Sequence, residues 1–336
     1  MKLLLFNNGR PGILTDAGVV DVSAIVNALP ASDQSSMDRL IAHFDEIHDD
    51  LSAAETSGAA IPLSQVNIET PLPQPEKILC MGGNFTEFGQ RETAPMWGFL
   101  KSSDAVLGPG GTVILPPNDA NIFHHEAELV IVFGKSGQNI DPAVAFDHVF
   151  GYTCGVDVSA RMPLAPGATP PAFQAWRGVS APKSFPTFAP LGPVIVTKDE
   201  VPDPQNLQVT LSVNEELRGN FNTSDMAHSI SESIAFISSH ESFKAGDLMY
   251  TGTNHQGLGA MQDGDNIRIE IEQVGSFSFS VQDGLKRQWK RGVDEETAED
   301  VRQGGWITLW PGAGNRSGPG VQQKGESGVH GLPRSD

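Results

Sequence analysis

The spacing of apolar and polar residues divides the chain into stretches of different character. At the start, short apolar runs at residues 2–6, 12–14 and 18–22 read as strands, the first two joined by the turn signal Asn7-Asn-Gly-Arg-Pro. Apolar residues then recur at helical spacing over residues 37–54, with Ser35 and Ser36 as N-cap candidates. Prolines punctuate residues 62–75, and because X-Pro steps hold a chain extended, this stretch is the predicted linker.

From residue 76 onward β-branched runs dominate, at residues 112–115, 129–133, 194–197, 207–213, 267–271 and 277–281. Turn signals such as Gly110-Gly, Asn214-Glu-Glu and Asp263-Gly-Asp separate them, as expected of antiparallel and mixed pairing. Residues 229–239 give the best helical pattern, opened by serine, and residues 142–147 a short turn. Beyond about residue 281 the pattern dissolves. Residues 287–302 are charged with some helical character, and residues 311–336 are too poor in apolar side chains to offset the entropy of ordering. The predicted class is α+β and β-rich: a small N-terminal α+β domain over residues 1–73, a β-rich domain over 74–285, and a C-terminal extension over 286–336 that is largely a flexible tail.

Composition narrows the possible functions. With 336 residues, 39% of them hydrophobic, the chain can bury a substantial core without disulfides. Cys80 and Cys154 sit in apolar runs and read as reduced core residues. Acidic residues outnumber basic ones 41 to 22, and the net charge of -19 repels nucleic acid and anionic membrane. An anionic substrate therefore needs local positive charge. The opening Met1-Lys-Leu-Leu-Leu-Phe run is too short for a signal segment, and no run approaches the roughly 20 apolar residues of a membrane span, so a cytoplasmic location is expected.

The candidate chemistry starts at Phe123-His-His-Glu-Ala-Glu-Leu-Val-Ile-Val-Phe-Gly. Side chains two apart on a strand share a face, so Glu126 and Glu128 can converge on one point. Two carboxylates at the edge of a core repel each other and lose hydration, which calls for a cation between them. Hard oxygen ligands favour Mg2+, Mn2+ or Ca2+ over Zn2+. On spacing alone, two solvated glutamates on an exposed strand face are the alternative. Asp157 closes another apolar strand, with Arg161 just after it; an aspartate there is either a turn residue or a ligand.

Four blocks in order carry a resemblance. E-x-E-L at residues 126–129, G-Y-T-x-x-x-D-V-S-A-R at 151–161, K-S-F-x-T-F-A-P-L-G-P at 183–193, and T-G-T with a following G-x-G at 251–259, then Gly264-Asp265, resemble the fumarylacetoacetate hydrolase family over roughly residues 75–281. The resemblance implies a mixed β-roll or sandwich catalytic domain that forms homodimers. It also implies a divalent metal, Mg2+ first with Mn2+ or Ca2+ as alternatives, bound by Glu126, Glu128 and Asp157. Lys183 matches the family's active-site lysine, and Thr251, Gly252 and Thr253 its substrate-facing loop, whose glycines let backbone amides approach an anion. Arg161 reads equally as a substrate clamp or as the structural partner of an acid.

One block departs from the family. Many hydrolytic members carry N-Y-x-x-H-x-x-E, whose histidine and glutamate activate water; here Asn84-Phe-Thr-Glu-Phe-Gly-Gln-Arg-Glu places Phe88 at the histidine and Arg91 at the glutamate. Glu92 lies one residue late and Glu87 one residue before Phe88, and on a helix such an offset swings a side chain by roughly 100°. His124, in phase with Glu126 and Glu128, is expected to orient the carboxylates, while His125 should face away. His255 is the other candidate base, on a loop with three residues between T-G-T and G-x-G where many members have two. Trp97, Phe88 and Trp176, if turned inward, favour a larger and less polar substrate.

The leading expectation is thus a hydrolase cleaving a carbon–carbon bond in a β-dicarbonyl or acylpyruvate-like compound, with a small-molecule carbonyl or carboxylate as its partner and Lys183, His255 and Glu92 as catalytic candidates. The alternatives are a metal-assisted isomerase, tautomerase or decarboxylase of a 2-oxo acid, and a catalytically silent metal or metabolite-binding module.

Overall fold

The longest apolar runs of the sequence form the centre of a twelve-stranded mixed sheet. In the computed structural model, which describes residues 1–30, 35–161 and 180–303, strands Ala127–Phe133 and Val149–Val156 are buried at every position. A strand covered on both faces has no need of polar alternation, so its sequence reads as a continuous apolar run. The two pair antiparallel. Val149–Val156 continues to Ala189–Thr197, and Ala127–Phe133 to Leu248–Tyr250, then Ile78–Gly82 and Trp97–Lys101. Trp176 and the tail over residues 311–336 lie outside the described residues.

A five-stranded sheet, in the order Glu216–Asn222, Gln208–Val213, Asn266–Ile271, Gly275–Asp283 and Thr112–Leu115, packs across the central strands. Its inner strands bury alternate residues, the mark of a sheet with one face on the core and one in water. The few helices sit at the edges. Ile230–His240 begins at a capping box between Ser229 and Glu232, and lays Ile230, Ile234 and Ile237 against the protein beside the short turn Pro142–His148. The β-rich α+β class expected from the sequence is the one observed. Cys80 and Cys154 are free and buried. Among the described residues no helix is long and apolar enough to cross a membrane.

The structure differs from the sequence reading at two N-terminal places. The helix expected over residues 37–54 is two helices, Ser36–Ala42 and Phe44–Ser57, broken at His43. In an unbroken helix Ile47 would lie about 120° around the axis from Ile41; the break lets both be buried. Residues 62–75 are not a free linker. Ile68–Glu69 pairs with strand Lys2–Phe6, and the Glu69 carboxylate accepts from the Asn8 and Gly9 amides at 2.8 Å each. Lys2–Phe6 in turn pairs with Ala189–Thr197, so main-chain hydrogen bonds join the N-terminal strands to the central sheet.

Candidate metal centre

Strand register brings the acids together. Ala127 lies opposite Val156 and Glu128 opposite Gly155; one step further along the pair, Asp157 donates its amide to the Glu126 carbonyl at 2.8 Å. Glu126 and Asp157 thus face each other across the ladder, and Glu128 shares the face of Glu126. Oxygens of all three carboxylates lie within 4.8 Å of one another, and all three side chains are buried. Gly155 is the partner of Glu128 for a steric reason: a Cβ there would meet Val130 and Tyr250 at 2.5 and 2.7 Å.

Cationic side chains surround two of the acids. The Lys183 ammonium donates to Glu126 Oε2 at 2.6 Å and to Asp157 Oδ2 at 2.5 Å. Lys101 donates to Asp157 Oδ1 at 2.6 Å and to the Lys183 carbonyl. Arg161 pairs with Glu126 and donates its Nε to His124 Nδ1 at 3.2 Å. Because Nδ1 accepts, the neutral His124 ring carries its proton on Nε2, which meets the Asp294 carboxylate at 3.1 Å. Burial alone would raise Glu126, but Lys183 and Arg161 outweigh it and hold that carboxyl well below its usual range. Burial likewise works against the Lys183 ammonium, yet Asp157 and Glu126 push its pKa up.

Glu128 is the exception. It accepts from the Gly252 amide at 2.6 Å, and burial together with repulsion from Asp157 and Glu126 drives its pKa well up. This is the chemical signature of a place short of one cation. Three hard oxygen donors, with no cysteine or histidine in the group, suit a small divalent ion such as Mg2+ or Mn2+.

A second wall of the pocket is made from loops. Glu87 and Phe88 adopt φ of 55° and 60°, a left-handed conformation that costs a non-glycine residue on the order of 1–2 kcal/mol. The Asp225 carboxylate holds this turn, accepting from the Thr86 hydroxyl, from the Phe88 amide at 3.1 Å and from Asn254 Nδ2 at 2.8 Å. The turn buries Glu87 completely and leaves Phe88 52% exposed. Glu87 then accepts from the His255 ring Nδ1 at 2.7 Å, the His255 amide at 2.9 Å and Gln256 Nε2 at 2.8 Å. Burial raises the Glu87 carboxyl, but His255 and these hydrogen bonds outweigh it and keep it low. His255 lines the same pocket as the three acids, together with Lys183, Trp97, Phe99, Gly252 and Thr253.

Several sequence expectations change here. Residues 84–91 form a turn rather than a helix, so the 100° argument does not apply. Glu92 and Phe88 are exposed and outside the pocket wall. The argument for a larger, less polar substrate loses Phe88 and keeps Trp97. Thr251 is buried with its hydroxyl on the Leu129 carbonyl at 2.9 Å, so it anchors the loop, whereas Gly252 and Thr253 line the pocket. Of the two readings of Arg161, the geometry shows a partner for the acid Glu126. His124 reaches that acid only through Arg161. His125 is buried, and burial pushes its pKa down to about 3.

The family profile described as Fumarylacetoacetate (FAA) hydrolase C-terminal matches residues 77–282. The chain belongs to the fumarylacetoacetate hydrolase family. Within the family it is 30% identical to the maleylpyruvate hydrolase of Aquipseudomonas alcaligenes, over 84% of this chain and 99% of that protein. It is 32% identical to a mitochondrial oxaloacetate tautomerase of Bos taurus, over 77% of this chain and 82% of that one. A solved structure of maleylpyruvate hydrolase from Sphingobium sp. SYK-6 in complex with manganese(II) and pyruvate superposes with a TM-score of 0.73. It is 35% identical and is covered in full by 84% of this chain. The family's enzymes thus include both hydrolases and tautomerases.

Lys101 and the C-terminal segment support this family member's pocket without lining it. Lys101 stands in phase with Trp97 and Phe99 on strand Trp97–Lys101, so the alternation of that strand could have placed it beside them. The C-terminal segment reaches the site through Asp294 and through Gln256, whose Nε2 also meets the Ala298 carbonyl at 3.3 Å and whose Oε1 accepts from Arg302. Nothing in the local pattern of residues 286–303 signals that contact.

Proposed function

We propose that this chain is a divalent-metal-dependent hydrolase that splits a carbon–carbon bond in an acylpyruvate-type substrate. Glu126, Glu128 and Asp157 are its ligand set, and Mg2+ or Mn2+ its ion. The observation that carries the reading is the convergence of three buried carboxylates within 4.8 Å, one of them, Glu128, raised by burial and by its neighbours. An ion held by these carboxylates would supply Lewis acidity that lowers the energy of enolate charge on a 1,3-dioxygen substrate.

The protein's own groups do the rest. Lys183, held between Glu126 and Asp157, keeps an ammonium beside the place where an enolate oxygen gains charge. Lys101 fixes Asp157 and the Lys183 backbone together, so that neither wanders when substrate enters. Gly252, at φ of 92°, turns its amide onto Glu128 and so fixes that carboxylate. Trp97 and Phe99 give the pocket an apolar side that disfavours bulk water. The net reaction adds OH from water to the acyl carbon and H to the methylene carbon, giving a carboxylic acid and a 2-oxo acid.

The names carried by the relatives supply the test substrates. With Mn2+ or Mg2+, maleylpyruvate should yield pyruvate and a second acid, chelator should abolish the yield, and added Mn2+ should restore it. Loss of the enol absorbance of oxaloacetate without any cleavage of maleylpyruvate would instead favour the tautomerase reading, which the Bos taurus relative supports.

A further inference from the structure

We propose that the Glu87–His255 pair is the base that activates water in this pocket, doing the work for which Phe88 and Arg91 have no suitable group. The inference rests on the hydrolase reading above. An ionised carboxylate can only accept, so the 2.7 Å contact with Glu87 Oε1 fixes the proton of the neutral imidazole on Nδ1. Nε2 then carries the lone pair, and among the described residues it has no hydrogen-bond partner. His255 lies in the wall that also holds Glu126, Glu128, Asp157 and Lys183, where a substrate carbonyl would sit. A histidine oriented by a buried carboxylate is the arrangement that general-base catalysis requires.

The fold invests in this contact from three directions. Two consecutive non-glycine residues are held left-handed to turn Glu87 inward. Asp225 ties that turn to the loop of His255 through Asn254. Gln256 also donates to Glu87 at 2.8 Å and is itself gripped by the Ala298 carbonyl and Arg302 of the C-terminal helix, Glu295–Arg302. Glu87, Gln256 and Arg302 act through His255 and are positioning residues; His255 is the catalytic one.

The step balances without a further reactant. Water gives one proton to His255 Nε2 while its oxygen bonds to the acyl carbon. The bond from that carbon to the methylene breaks, and its electron pair goes to the methylene as the enolate of the departing 2-oxo acid. The proton on Nε2 then moves to that carbon, restoring the neutral imidazole.

His255→Gln and Glu87→Gln test the assignment with maleylpyruvate and Mn2+, with Mn2+ affinity measured by calorimetry. The expected result is a kcat lowered about 100- to 10,000-fold in His255→Gln and at least about tenfold in Glu87→Gln. KM and Mn2+ affinity should stay within about twofold, a split that mere loosening of the pocket would not produce. Glu87→Gln keeps side-chain shape and so guards against a variant that fails to fold. If the wild type cleaves and both variants match its kcat, the pair is not the base and the hydrolase reading stands. If the wild type binds Mn2+ and yields no pyruvate, the hydrolase reading falls, and the assignment of a water-activating base falls with it.

Discussion

The two walls of the pocket are built by opposite means. Glu128 stands on a central strand of the twelve-stranded sheet, and Glu126 and Asp157 one residue beyond the ends of two paired strands, where the ladder and the Asp157 amide on the Glu126 carbonyl set the three side by side. The imidazole–carboxylate pair stands on two loops, distant in sequence, that meet because Asp225 and the C-terminal helix hold them. Strands give ligands little freedom, which suits a metal site that must not relax. Loops give residues that can be exchanged for others without disturbing the sheet. The metal-ligand set therefore suits the strands and their ends, and the base proposed for His255 suits the loops.

The strand wall can be broken most severely, and unequally. Without metal, Glu126→Gln strips Lys183 and Arg161 of a charged partner in a buried setting, a loss of about 3–5 kcal/mol. Glu128→Gln replaces a carboxyl whose charge is already disfavoured by burial, Asp157 and Glu126, so stability should hold or rise. Both should weaken Mn2+ binding by more than about 100-fold, beyond what loss of an outer hydrogen bond costs. Thermal unfolding in chelator, paired with calorimetry, checks this. Equal destabilisation by the two substitutions would show that the acids are equivalent and that the charge asymmetry drawn here is wrong.

That asymmetry also marks how far the sequence could be read. A period of two placed Glu126 and Glu128 on one face, and ordered blocks tied them to Asp157, because strand geometry is local and repetitive. His124 shows where the period stops being enough. It was in phase with the acids, but Ile122–His124 pairs with Ser159–Arg161 in a separate two-stranded sheet, so its ring meets Arg161. Glu87 was a nearby carboxylate without a direction. Its direction depends on left-handed backbone at two residues with no preference for it, enforced by an aspartate 137 positions from Phe88. Residues 287–302 read as charged with some helical character, and helix Glu295–Arg302 does form there, with Ala298 and Val301 buried and its polar groups gripping the loop of His255.

A milder change should separate the two walls. Arg302→Ala removes a hydrogen bond to Gln256 from a partly exposed side chain, so global stability should fall by about 1 kcal/mol or less. Mn2+ affinity should not move, since the acids lie on the strands and at their ends. Maleylpyruvate cleavage should fall several-fold in kcat, because Gln256 no longer steadies Glu87. A fall in Mn2+ affinity matching the fall in kcat would mean that the loops and the strands form a single cooperative unit.

The smallest expected effect is a dependence on pH at helix Glu295–Arg302. Partial burial raises the Asp294 carboxyl, but hydrogen bonds from His124 and Thr297 outweigh it and hold it below the ordinary 3.8. A carboxyl that binds its proton less tightly when folded contributes stability above the ordinary value, and that contribution is lost as pH falls below it. Asp294 also caps helix Glu295–Arg302 through the Thr297 amide at 3.1 Å. Amide protection factors in residues 295–302 should therefore decline between about pH 5 and 3, before those of the central strands. Asparagine is as good a cap and does not titrate in this range, so Asp294→Asn should keep the helix and remove that part of the decline. An unchanged decline in the variant would move its cause away from Asp294, and the C-terminal helix would then owe its place to the burial of Ala298 and Val301 rather than to the polar contacts that reach the site.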